Sequence, residues 1–137
     1  MKKTIATTEA PAAIGPYSQA TRIGHLVFCS GQIPLDPNTG QIVAGDIKEQ
    51  TRRVMDNITA VLRAEGLGFE DIVKTTIFLT SLGDFQIVNE LYGSYFNSDP
   101  PARSTVQVSG LPKGANLEIE VIAAARHEGS KAIDTWE

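Results

Sequence analysis

The sequence predicts an α+β domain with two helices packed on one face of a sheet. Three observations carry that prediction. Apolar residues at helical spacing are confined to two stretches, beginning near Asp46 and Asp84. Residues 104–109 alternate strictly between two faces, and 117–125 alternates too, with Leu117, Ile119 and Val121 opposing Glu118 and Glu120. The resulting order is strands, helix, strand, helix, strands.

The chain opens on an arm, Ala10-Pro11-Ala12-Ala13-Ile14-Gly15-Pro16, whose two prolines predict an ordered but irregular path. Residues 17–21 suit an extended segment, and His25-Leu26-Val27-Phe28-Cys29 is a short run of strand formers that ends at Ser30-Gly31. Asp36-Pro37-Asn38-Thr39-Gly40 supplies turn chemistry. Asp46 caps the first predicted helix, with Glu49 three residues on. Its apolar stripe is Ile47, Val54, Met55, Ile58, Val61 and Leu62, and Gly66 ends it. Residues 72–80 read as a buried strand. The second helix is predicted from Asp84, with Phe85, Val88, Leu91, Tyr92, Tyr95 and Phe96 on its inner face, and Asn97-Ser98-Asp99-Pro100-Pro101 stops it. The two alternating strands follow. The Gly110-Leu111-Pro112-Lys113-Gly114 turn between them predicts that they pair as an antiparallel hairpin.

Composition narrows the function classes. The 137 residues suit one domain, taken as 1–126 with a polar tail over 127–137. Twelve Lys+Arg against 16 Asp+Glu give a net charge of −4, which disfavours a dedicated nucleic-acid binder. One cysteine excludes an intrachain disulfide and a cysteine-built zinc site, and two histidines, His25 and His127, leave little room for a histidine metal site. Lys2 and Lys3 are followed by Thr7, Thr8 and Glu9 rather than an apolar stretch, so no signal peptide or membrane span is expected and a cytoplasmic protein is the default.

Chemistry is concentrated on the polar faces of the last two strands. If Thr105 pairs with Glu118 in the expected hairpin, the same register sets Arg103 opposite Glu120. Such a cluster fits a solvated cross-strand ion pair. The sharper alternative is a site where the guanidinium grips a carboxylate while a glutamate handles water. Cys29, at the end of an apolar strand, reads as a buried inert thiol. Tyr17 follows two prolines that fix its backbone, which suits a positioned hydroxyl, and Asn89 sits on the second helix beside Val88.

The strings Ala10–Gln19, Ser30-Gly31-Gln32-Ile33-Pro34, Val73-Lys74-Thr75-Thr76, Pro101-Ala102-Arg103-Ser104, Leu111-Pro112-Lys113 and Glu118-Ile119-Glu120 stand in one order along the chain. Together they resemble the Rid (reactive intermediate deaminase) family, and within it the 2-iminobutanoate/2-iminopropanoate deaminases. The resemblance implies a chorismate-mutase-like α+β fold with a mixed sheet, assembled as a homotrimer with clefts between subunits. It implies hydrolysis of short enamine or imine acids to 2-keto acids and ammonia, with neither metal nor organic cofactor. By the same resemblance Arg103 holds the substrate carboxylate and Glu118 orients the attacking water. Tyr17, Ser30, Gly31, Asn89 and Thr105 line the cleft. Thr105 stands where many relatives carry cysteine, which points to water rather than sulfur as the nucleophile. Two other roles stay open at this level: a non-catalytic trimer that binds small carboxylates in a regulatory or chaperone-like role, and a ribonuclease, which the net charge opposes.

Overall fold

The computed structural model describes residues 1–125, so the tail expected over 127–137 lies outside the described residues. Among the described residues six strands form one mixed sheet: β1 (Lys3–Ile5), β2 (Ala20–Ile23), β3 (Leu26–Gln32), β4 (Ile72–Leu79), β5 (Ala102–Gln107) and β6 (Leu117–Ala124). Their spatial order is β1-β2-β3-β6-β4-β5. Every pairing is antiparallel except that of β4 with β5, which is parallel. The two helices, α1 (Ile47–Arg63) and α2 (Phe85–Gly93), pack against each other over one face of this sheet.

Local chemistry explains the helices. Asp46 has extended backbone angles and its carboxylate accepts the Glu49 N–H at 3.0 Å, satisfying one of the donors that a helix start leaves open. Val54, Met55, Ile58, Val61 and Leu62 are almost wholly buried and meet Val27, Ile77, Leu117, Ile119 and Val121 of the sheet. Each such side chain contributes about 1.5–3 kcal/mol by leaving water. The second helix is shorter than its apolar pattern predicts. Residues 82–84 form a 3-10 turn, and α2 ends at Gly93, three residues before Phe96. Tyr95 and Phe96 nevertheless pack on the core through Phe69 and Tyr92.

The expected β5–β6 hairpin does not form. Both strands pair with β4, which lies between them: Ile77 is opposite Thr105 on one side and Ile119 on the other. The chain direction was legible, since β5 and β6 do run in opposite senses. The adjacency was not, because residues 108–116 are a link long enough to arch over the end of β4. Val108 donates to the Leu79 carbonyl and Thr80 to the Asn116 carbonyl, marking the two sides of that arch. Composition agrees with the observed order: β5, Ala-Arg-Ser-Thr-Val-Gln, is polar enough for an edge, whereas β6 buries Leu117, Ile119, Val121 and Ala123 as a central strand must.

Two buried amides tie irregular segments to this frame. Gln19 donates through Nε2 to the carbonyls of Thr7, Ala10 and Pro11 and accepts the Thr7 N–H, holding the opening arm. Asn57 donates to the Ile33 and Leu35 carbonyls and accepts from Arg53 Nε, holding the loop after β3. At the first edge, β1 was not anticipated from its three residues. It is clamped where Lys3 (2.9 Å) and Arg22 (3.0 Å) both reach the Glu65 carboxylate, whose side chain is 6% exposed.

Candidate active site in two halves

The residues singled out from the sequence fall into two groups on opposite faces of the sheet. Sheet register decides this, because residues paired across strands project to the same side. Arg103 is paired with Thr75 and Thr105 with Ile77, on the face that α1 and α2 cover. Glu118 is paired with Phe78 and Glu120 with Thr76, on the face that neither α1 nor α2 covers. Arg103 and Glu120 are therefore not cross-strand partners. Arg103 and Glu118 are offset by three residues along β4 and by two strands across it, roughly 14 Å from strand spacings.

The Glu118 half is built on a bulge. Cys29 pairs with Val121 and Gln32 with Ile119, so β3 carries one extra residue at Ser30-Gly31. Bulges of this kind re-aim side chains next to functional sites. Here the bulge brings the Gly31 backbone against Glu118: a Cβ at position 31 would lie 2.0 Å from the Glu118 Oε2. Only glycine leaves that space to the carboxylate. Ser30 Oγ donates to the Ser18 carbonyl at 2.6 Å, and the Ser30 N–H donates to the Gln19 carbonyl. Tyr17, 54% exposed, follows Gly15, whose φ of +117° turns the arm back. These residues, with Ile14, Gln19, Pro112 and Lys113 among others, line a cavity of about 550 Å³. Burial, reinforced by the negative charge of Glu120, raises the Glu118 carboxyl above its ordinary value.

The Arg103 half is built on side chains. The guanidinium donates to Asn89 Oδ1 at 2.6 Å and lies over two rings of α2, 5.4 Å from the centroid of Phe85 and 5.3 Å from that of Tyr92. Tyr92 is itself fixed by a 2.7 Å hydrogen bond between its hydroxyl and Thr75 Oγ1. Asn89 is thus an orienting partner of the arginine, not a solvated helix residue. Thr105 Oγ1 is buried with no hydrogen-bond partner, leaving a hydroxyl beside Arg103 free to engage another group.

The other residues behave simply. Cys29 is 7% exposed, and burial pushes its thiol up to about 12, so it stays protonated and inert at neutral pH. His25 is half-buried in the β2–β3 turn, where its carbonyl accepts the Ala125 N–H. No group of three or more potential ligand side chains that could hold a metal occurs among the described residues. From the sequence Phe85 and Tyr92 have only a packing role on the second helix, and Lys113 only a place in a turn and in one of the family strings. The aromatic pair had a signal, since both rings lie on one face of a helix whose following strand carries the arginine.

A model of the family described as endoribonuclease L-PSP matches residues 7–125. The chain belongs to that family, the Rid family. A Rid-family protein of Yersinia pestis with a solved structure is 52% identical, covering 91% of this chain and 100% of its own, with a TM-score of 0.89. The mouse protein named 2-iminobutanoate/2-iminopropanoate deaminase is 46% identical over 123 residues, 90% of this chain and 91% of that protein. The structure of TdcF from E. coli with bound serine is 48% identical, covering 89% of this chain and 98% of its own, with a TM-score of 0.85. The sheet and helices described above are thus those of the Rid fold. No described helix is long and apolar enough to cross a membrane.

Proposed function

We propose that this protein hydrolyses short imine and enamine acids to 2-keto acids and ammonia in clefts shared between subunits of a homotrimer. The observation that carries the reading is the division of the site. An arginine suited to a carboxylate and a glutamate suited to a proton stand on opposite faces of one chain, too far apart for one small acid to touch both. A neighbouring protomer resolves this by supplying the missing half. The sheet face away from the helices supports such an assembly, since it exposes Ile23, Leu26, Phe28 and Val106 by 39–53% each, apolar side chains that a neighbouring protomer would cover. Relatives named for imine deamination and a relative with bound serine fit the substrate class.

The chemistry asks for few groups. Arg103 takes the substrate carboxylate in a bidentate grip, its plane held by Phe85 and Tyr92, and Thr105 Oγ1 supplies an adjacent hydrogen bond. Water adds to the C=N carbon as Glu118 removes one of its protons. The same carboxyl returns that proton to nitrogen, giving a carbinolamine, then takes the new hydroxyl proton and passes it to the amino group as the C–N bond breaks and the C=O bond forms, releasing ammonia and the keto acid. A carboxyl whose affinity for protons is raised by burial is better matched to that exchange than a fully solvated one. The buried, protonated Cys29 takes no part.

The test is pyruvate release from 2-aminoacrylate generated in situ from serine by a dehydratase. The expected result is acceleration by the protein and loss in Arg103→Ala by about 10²-fold or more. No acceleration, or full activity in the variant, overturns the reading. Binding of keto acids without turnover would instead indicate a non-catalytic binding trimer. Subunit sharing has its own measurement. Arg103→Ala and Glu118→Gln chains, each inactive alone, should regain roughly a quarter of wild-type activity when unfolded and refolded together at equal amounts, from clefts that draw one intact half from each chain. A site complete within one chain would regain none.

A further inference from the structure

The Glu118 cavity has a second charged wall. Among the described residues that line it, Glu118 and Lys113 are the charged ones. Lys113 belongs to the 112–114 turn, where the Gly114 and Ala115 N–H groups close back onto the Leu111 and Pro112 carbonyls. Its φ of 57° lies in the left-handed region, which disfavours any residue with a Cβ, and the next residue, Gly114, is left-handed too. Glycine would be the relaxed choice at position 113. Lysine there costs backbone strain and is not repaid within the chain, because Lys113 makes no hydrogen bond or ion pair with any described residue. In particular it makes no ion pair with Glu118. The ammonium is available to a ligand.

Size points the same way. A ligand of six heavy atoms fits a cavity of about 150 Å³, and 2-iminopropanoate has that many. The cavity of about 550 Å³ leaves room for a longer side chain between Glu118 and Lys113.

We propose that Lys113 is a specificity-determining residue of this cavity, whose ammonium binds a second carboxylate at the far end of the substrate, so that imino dicarboxylic acids are included in the substrate class. The proposal rests on the reading of the cleft as an imino-acid site. Arg103 holds the carboxylate next to the imine carbon, Glu118 serves that carbon, and Lys113 reads the distal group as a point charge.

Calorimetric titration of 2-oxoglutarate and 2-oxobutanoate, keto acids with and without the second carboxylate, tests this without requiring turnover. Wild-type protein should prefer 2-oxoglutarate by about tenfold. Lys113→Gly should abolish the preference while Tm stays level or rises, because glycine relaxes the turn, and Lys113→Arg should retain it. A role for Lys113 in folding alone would instead lower Tm in Lys113→Gly and leave the preference intact. Equal affinities in the wild type, no binding of 2-oxoglutarate, or a preference that survives Lys113→Gly each overturn the proposal. A parallel turnover measurement with imines made from glutamate and from 2-aminobutanoate by a flavin amino-acid oxidase separates the two readings. Turnover of the monocarboxylate without a binding preference removes the Lys113 subsite and leaves the deaminase standing; a binding preference without turnover does the reverse.

Discussion

The two halves of the site are held by different kinds of structure. Arg103 sits exposed on an edge strand and is kept in place by side chains: an amide below and two rings beside it. Glu118 sits half-buried on a central strand and is kept in place by backbone, through a bulge and a glycine that admits its carboxylate. A side-chain cradle can lose a member and relax. A methyl group added to the backbone cradle takes the place of the carboxylate itself, which must swing out of position. The Glu118 half should therefore be the brittle one and the Arg103 half the tolerant one, although the loss of either charge removes function.

That contrast can be broken at several points. The largest effect is expected from Gly31→Ala, whose methyl must displace the Glu118 carboxylate by about an ångström or more. In the dehydratase-coupled assay kcat should fall about 10²-fold, with circular dichroism unchanged. A fall of less than threefold would mean that Glu118 is not held by the bulge. Asn89→Ala should do less, raising KM about fivefold with little change in kcat, since the two rings still seat the guanidinium. A collapse of kcat there would show the Arg103 half to be as rigid as the other.

The pH profile sharpens the comparison from the electrostatic side. Burial and Glu120 raise the Glu118 carboxyl, and its unprotonated form is the one that accepts a proton from water. Activity should therefore drop as pH falls through a midpoint above the ordinary carboxylate range. Glu120→Gln removes the repelling charge, so ionisation becomes easier and the midpoint should shift downward while burial keeps it above the ordinary value. An unmoved or rising midpoint contradicts the assignment.

The smallest effect belongs to the Glu65 clamp, remote from both halves. Burial alone would raise its carboxyl, but the hydrogen bonds and charges of Lys3 and Arg22 outweigh that and hold it below its ordinary value. A depressed folded value stabilises the fold above the unfolded pKa and stops doing so as pH falls through the folded one. Glu65→Gln should cost about 1 kcal/mol at neutral pH, roughly 3–6 °C in Tm, and the deficit should shrink in acid. Catalysis should be untouched.

How far the sequence reached follows the range of the interactions concerned. Asp46, the 3.6-residue stripe of α1 and the alternation of β6 are local signals, and each appears in the structure where the sequence placed it. The position of β5 depends on which strand lies between it and β6, and nothing within 104–125 states that. The error mattered because a hairpin would have put Arg103 and Glu118 on one face of one chain. The residues of the site were legible, as was their chemistry, but their division between faces required the full strand order. Lys113 was visible only as part of a string until its backbone angle and the cavity it lines were known.

The Gln19 amide has a consequence for change over time. All four of its bonds to the arm go to main-chain atoms, at Thr7, Ala10 and Pro11. The clamp reads the path of the arm and ignores its side chains. Ala12 and Ile14, which face the Glu118 cavity, can therefore be exchanged without loosening the segment that carries them. A family that keeps this glutamine can redraw one wall of its pocket by point substitution, acquiring new preferences at little risk to the fold.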